Sequence, residues 1–169
     1  MPGYKTHVIS ALVCYYLILF VIVLCGQPEI NLCLSLVWLM SIVAGSLFPD
    51  IDIKSKGQKL FYCLFFLIVF LALICKNTFI AISVSLFSFL PIISKHRGIF
   101  HNVGFLLVLI ISFAKIFIYN MPQHEYLILS STAFFTVGVK LHILFDLYAK
   151  KIFKIKKIFK TKNIPKKRK

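Results

Sequence analysis

Acidic side chains are nearly missing from this chain: Asp and Glu together number 5 in 169 residues, and charged residues of both signs make up only 15%. Soluble domains run near one quarter charged and half apolar, and a chain that is 60% hydrophobic lies well outside that range. The five cysteines, Cys14, Cys25, Cys33, Cys63 and Cys75, show no C-x-x-C spacing, which excludes a zinc knuckle and gives no disulfide framework. They read as small core hydrophobes. No internal repeat of the inverted kind found in many transporters is visible. No small-x-small cleavage site follows the first apolar run, so that run reads as a retained span rather than a signal peptide.

What the chain does have is long apolar runs and lysine. Crossing the hydrocarbon as a helix takes about 20 apolar residues, range roughly 17 to 25. Six segments qualify or nearly so: 8–25, 30–48, 60–75, 78–93, 103–119 and 127–148. The third and fourth are short and separated only by Lys76-Asn77-Thr78, so they form a tight helical hairpin or a re-entrant pair. The expected fold is therefore an all-α polytopic bundle of about six spans, four if 60–93 is re-entrant. It divides into a membrane-embedded body, 1–149, and a basic tail, 150–169. Of the 20 Lys and Arg, eleven lie in that tail. Leaving the tail aside, the short loops still place six bases on one side and Lys76 alone on the other, which predicts both termini in the cytoplasm.

The tail, KKIFKIKKIFKTKNIPKKRK, alternates bases with Ile and Phe. On a helix Ile152, Ile155 and Phe159 fall within roughly 60° of arc. That pattern suits a stretch attracted to the anionic inner leaflet, at about 1 kcal/mol per lysine near the surface. A solvated flank biased toward Lys and Ile is the simpler reading. Nothing beyond charge supports nucleic acid as a partner.

With five acids and five histidines, each can be followed individually. His7 precedes the first span; Asp50 and Asp52, in GSLFPDID, close the second; His96 and His101, in KHRGIFHN, separate the fourth from the fifth; His142 and Asp146, in KLHILFD, lie near the inner end of the sixth. Under the topology above all seven fall on the cytoplasmic side, leaving His124, Glu29 and Glu125 outside. Each cluster alone has a plainer account: an interfacial histidine, a Pro-Asp helix stop, a polar loop. His96 and His101 sit about 140° apart on a helix, but Gly98 can break the helix and let both face one point. His142 and Asp146 are four apart and share a helix face, a spacing that suits two metal ligands or a histidine held by its carboxylate.

Imidazole nitrogen with carboxylate oxygen suits zinc, manganese, iron or nickel. Seven donors exceed the three protein ligands of an open catalytic zinc site, so the surplus would orient ligands, act as base or hold a second ion. Arg97, between two histidines, is placed to clamp a phosphate or a developing oxyanion. A hydrolase acting at the membrane surface is the first functional reading. A cation transporter would need polar groups at mid-span, where this chain is apolar apart from Lys140 and scattered Ser and Thr. A structural anchor would leave four converging clusters without a purpose.

Together, His7, GSLFPDID, KHRGIFHN and HILFD, in this order, resemble the YdjM-like family of inner-membrane-associated metal-dependent hydrolases, over residues 7–146. The resemblance implies a bacterial inner-membrane location, and His7, Asp50, Asp52, His96, His101, His142 and Asp146 as metal residues. It implies a divalent ion, zinc foremost with manganese or iron as alternatives. Asp52, Arg97 and Asp146 are the candidates for catalytic work, on a phosphate or carboxylate ester of an amphiphile. The family is also distantly similar to the all-helical zinc-dependent phospholipase C group, which favours phosphoesters. This chain departs from the family pattern at Phe100 and Asn102, where hydroxyl residues are usual, and at Ile53, where a histidine is common.

Overall fold

Three asparagines and one glycine mark where the apolar runs become helices. In the computed structural model, which describes residues 3–26, 31–51, 56–93 and 102–162, α1 spans Tyr4–Leu24 and ends at Gly26, whose φ of 65° only glycine adopts freely. Asn31 caps α2, Leu32–Leu47, accepting from the Cys33 amide at 3.1 Å. A 3-10 turn, Phe48–Asp50, follows with Pro49 inside it. Then come α3, Lys56–Ile74, and α4, Thr78–Ile93, joined through Lys76 in the left-handed region (φ 55°) and Asn77, whose side chain accepts from the Ile80 amide. Asn102 caps α5, Val103–Asn120, through the Gly104 and Phe105 amides. A second 3-10 turn, Pro122–His124, leads into α6, Glu125–Lys162.

The six helices match the six expected segments, and four stretches are long and apolar enough to cross a membrane: Tyr4–Leu24, Leu32–Asp50, Val103–Asn120 and Pro122–Ala149. The α3–α4 pair is a tight hairpin of shorter apolar helices. The sixth apolar run, 127–148, lies within the candidate span Pro122–Ala149, and its helix continues through the start of the basic tail to Lys162, because no glycine or proline interrupts that stretch before Pro165. One sequence expectation changes. Four of the cysteines are not core residues: Cys14 is half-buried and packs against the Ala11, Tyr15 and Trp38 cluster, whereas Cys25, Cys33, Cys63 and Cys75 are exposed. In a lipid environment an exposed thiol costs little, so small size rather than core packing accounts for them.

The bundle is built around α2 and α6, which share its largest interface. Two glycines make that contact close. A Cβ on Gly45 would land against the Phe135 carbonyl, and one on Gly138 against the Ile42 carbonyl and, at 2.8 Å, the Ser46 amide. Helices in lipid gain little from hiding apolar surface from each other, so backbone-to-backbone packing at small residues is the main source of their association. On one side of this contact Ala11, Tyr15, Trp38, Ile42 and Phe134 join α1 to it, and the Tyr15 hydroxyl donates to the Ser35 carbonyl at 2.7 Å. On the other, Leu47, Phe48, Ile51, Phe61, Leu106, Ile110 and Val139 bring in α3 and α5. Lys140 is exposed while His142, two residues on, is fully buried, as expected for opposite faces of α6.

Candidate metal centre

Gly138, His142 and Asp146 recur every four residues and so form one stripe on α6. Where Gly138 lets α2 come close, the last turn of α2 runs beside this stripe. The Ser46 carbonyl accepts a hydrogen bond from His142 Nδ1 at 2.7 Å. A carbonyl cannot donate, so Nδ1 carries a proton, and Nε2 on the far side of the ring faces the carboxylates. This arrangement recurs in metal-binding histidines, whose second nitrogen is held by a backbone carbonyl or carboxylate.

Past Ser46 the 3-10 turn at Pro49 swings Asp50 back over α6, with Oδ1 3.6 Å from His142 Nε2. Asp146 Oδ2 lies 3.9 Å from the same nitrogen, and its Oδ1 lies 3.7 Å from His7 Nε2. His7, one turn into α1, lays its ring over that of His142, with centroids 3.9 Å apart and planes at 19°. It is 1% exposed, and neither of its ring nitrogens has a hydrogen-bond partner among the described residues. Leaving a buried polar group without a partner costs about 1–3 kcal/mol.

These separations exceed hydrogen-bond length. They lie slightly above the roughly 3.4 Å between two ligand atoms held tetrahedrally at about 2.1 Å from one ion. One donor atom each from His7, Asp50 and His142 falls within 4.8 Å of the others. Two carboxylates this close, Asp146 buried and Asp50 partly exposed, call for positive charge between them, which a protonated histidine or a bound cation supplies. The donor set, two nitrogens and one or two oxygens, is borderline-hard and suits a divalent transition metal. His7, Asp50 and His142 thus could hold a metal ion, with Asp146 beside two of them.

A family model described as YdjM inner membrane protein matches residues 1–154. The chain belongs to the YdjM inner membrane protein family. No curated protein and no solved structure matches it. In this YdjM family protein the sequence-derived candidates His7, Asp50, His142 and Asp146, from α1, the turn after α2, and α6, are brought together at one end of the bundle. Asp52, His96, Arg97 and His101 lie outside the described residues. Sequence reasoning passed over Ser46, which acts through its backbone and so leaves no side-chain signature. It also passed over Gly45 and Gly138; isolated glycines within apolar helices were the available signal.

Proposed function

We propose that this YdjM family protein is a membrane-embedded, metal-dependent hydrolase that cleaves a phosphate or carboxylate ester of an amphiphilic substrate at the cytoplasmic face of the inner membrane. The observation that carries the reading is the convergence of His7, Asp50, His142 and Asp146 from three chain segments onto one point, with His142 held through Nδ1 by the Ser46 carbonyl and its Nε2 turned toward the cluster. The excess of Lys and Arg in the loops at that end supports the cytoplasmic side.

His7, Asp50 and His142 would hold the ion. A divalent ion bound there would supply Lewis acidity and lower the pKa of a water toward about 7. Asp146, buried beside both histidines with one carboxylate oxygen toward each, would steady them by its charge and serve as a proton acceptor. In the hydrolysis the oxygen of water bonds to the ester phosphorus or carbonyl carbon and the ester bond to the leaving oxygen breaks. The proton taken up by the carboxylate is returned to that oxygen. Asp52 is the second candidate for this proton transfer, Arg97 the cation that would steady the developing negative charge, and His96 and His101 further ligands. The basic segment from Lys150 onward would hold the cytoplasmic end of α6 against anionic headgroups.

Metal analysis of the purified wild type against Asp50→Ala and His96→Ala, followed by a screen of chromogenic and lipid esters with and without chelator, tests the proposal. Retained metal in the wild type, its loss in Asp50→Ala and chelator-sensitive turnover are expected. Equal metal content in all three proteins would remove it.

A further inference from the structure

Beneath the His/Asp cluster the bundle is hollow. A cavity of about 420 Å³ lies among α2, α3, α4, α5 and α6, within the range of roughly 300–1,000 Å³ typical of small-molecule sites. On α6 it is lined by Leu127, Ile128, Ser131, Thr132 and Phe135. Ile128, Phe135 and His142 follow one another at intervals of seven residues, so they share a helix face. At 1.5 Å per residue the cavity begins about 10 Å from His142 and reaches about 22 Å along the axis.

The lining excludes water as the occupant. Ser41 and Thr132 direct their hydroxyls to the Val37 and Ile128 carbonyls of their own helices, leaving Ser131 as the one lining hydroxyl without a partner among the described residues. A stable water needs two to four polar partners. The cavity is open on one side rather than sealed, and with walls almost wholly apolar, hydrocarbon is the filling it accepts. It also has an entrance. A second hollow shares Val37, Ala44, Phe61 and Phe135 with the first and runs out between α2 and α3 past Leu36, Met40 and Ile68, all exposed where the bilayer would be. Phe48, two residues before Asp50, packs on Phe61, Phe87 and Phe135, three residues of the cavity wall, and so joins that wall to the turn that carries Asp50.

We infer that this cavity receives the hydrocarbon chain of the substrate, a membrane lipid that enters sideways between α2 and α3 while its polar head reaches the cluster at Asp50 and His142. This deepens the hydrolase reading and rests on it for the word substrate; the binding of a lipid chain does not. The cavity covers about 12 Å of the α6 axis, within the about 15 Å that the chains of one leaflet occupy.

The test uses the full chain in nanodiscs with a C16 alkyl phosphate carrying a diazirine at the chain end, and maps the crosslinks by mass spectrometry. Labels are expected on Phe117, Leu127 or Ile128, and Ala114→Phe, which fills the cavity, should cut them at least fivefold without changing metal content. Leu127→Ala, which lengthens the cavity and guards against a misfolded Ala114→Phe, should shift preference toward longer chains. Where turnover is found, Ala114→Phe should lower hydrolysis of long-chain esters and spare short-chain ones. Labels spread over the outer surface, for example on Phe20 and Phe66, or equal labelling of wild type and Ala114→Phe, overturn the inference. Absence of turnover on every ester would remove the hydrolase reading alone, because the crosslinks report on the cavity independently.

Discussion

Replacing Gly138 by Ala adds one methyl group at the point where α6 meets α2, and the consequences can be followed outward to the ligands. The new Cβ would lie 2.8 Å from the Ser46 amide nitrogen, against at least 3.4 Å for ordinary contact, so the two backbones must part by about 0.6 Å or more. The hydrogen bond from His142 Nδ1 to the Ser46 carbonyl, 2.7 Å in the wild type, then stretches beyond 3.2 Å and is lost. Forcing a methyl group into a packed contact costs about 1–3 kcal/mol, and losing the partner of a buried imidazole about another 1–3 kcal/mol. The better helix propensity of alanine returns at most ~1 kcal/mol. Net destabilisation should therefore be on the order of 1–5 kcal/mol. Metal affinity should fall about 10- to 100-fold, the usual effect of removing the group that orients a ligating histidine. Zinc titration and thermal unfolding in detergent measure both, with Gly3→Ala, where an added methyl meets nothing within 4 Å, as control. If Gly138→Ala matched that control in affinity and in unfolding temperature, the close crossing would not be what sets the centre.

Other outcomes follow from the same geometry. His7→Leu removes a buried imidazole whose nitrogens lack hydrogen-bond partners among the described residues, so the metal-free protein should be at least as stable as wild type while metal affinity drops tenfold or more; a loss of metal-free stability with unchanged affinity would make His7 a packing residue only. Phe48→Ala should destabilise by about 3–5 kcal/mol, read by chemical or thermal unfolding, because the ring is fully buried among three other aromatic rings. Single cysteines introduced near 51 and near 99 should react with impermeant reagents from the same side of the membrane; labelling from opposite sides would remove any common centre. Chelation should lower the unfolding temperature of the wild type and leave that of the His142→Ala, Asp50→Ala double variant unchanged, since a bound ion stabilises only the form that binds it.

The helices were legible because each is written locally. An apolar run of membrane length between polar breaks has few alternatives to a helix, since lipid offers backbone groups no other partner. Asn31, Asn77 and Asn102 mark starts by the same local chemistry. Hydropathy marks where α6 leaves lipid, near Ala149, but not where it stops; a lysine-rich run without glycine or proline continues the helix to Lys162. Four of the cysteines were misplaced for a related reason: in a bilayer an apolar residue is equally at home on the inner and outer faces, so composition cannot assign it to the core.

Of the candidate centre, the sequence determined the cast: the rarity of acids and histidines, and their position at one end of the spans, singled out His7, Asp50, His142 and Asp146. It could not determine their roles. That His142 offers Nε2 rather than Nδ1 depends on the Ser46 carbonyl, a backbone group 96 residues away in sequence. The stacking of His7 on His142 and the hollow beneath them depend on how six helices pack around the Gly45–Gly138 contact. Spacing along a chain fixes which side chains share a helix face. Which faces meet, and how closely, is a property of the whole bundle, set here by two missing methyl groups.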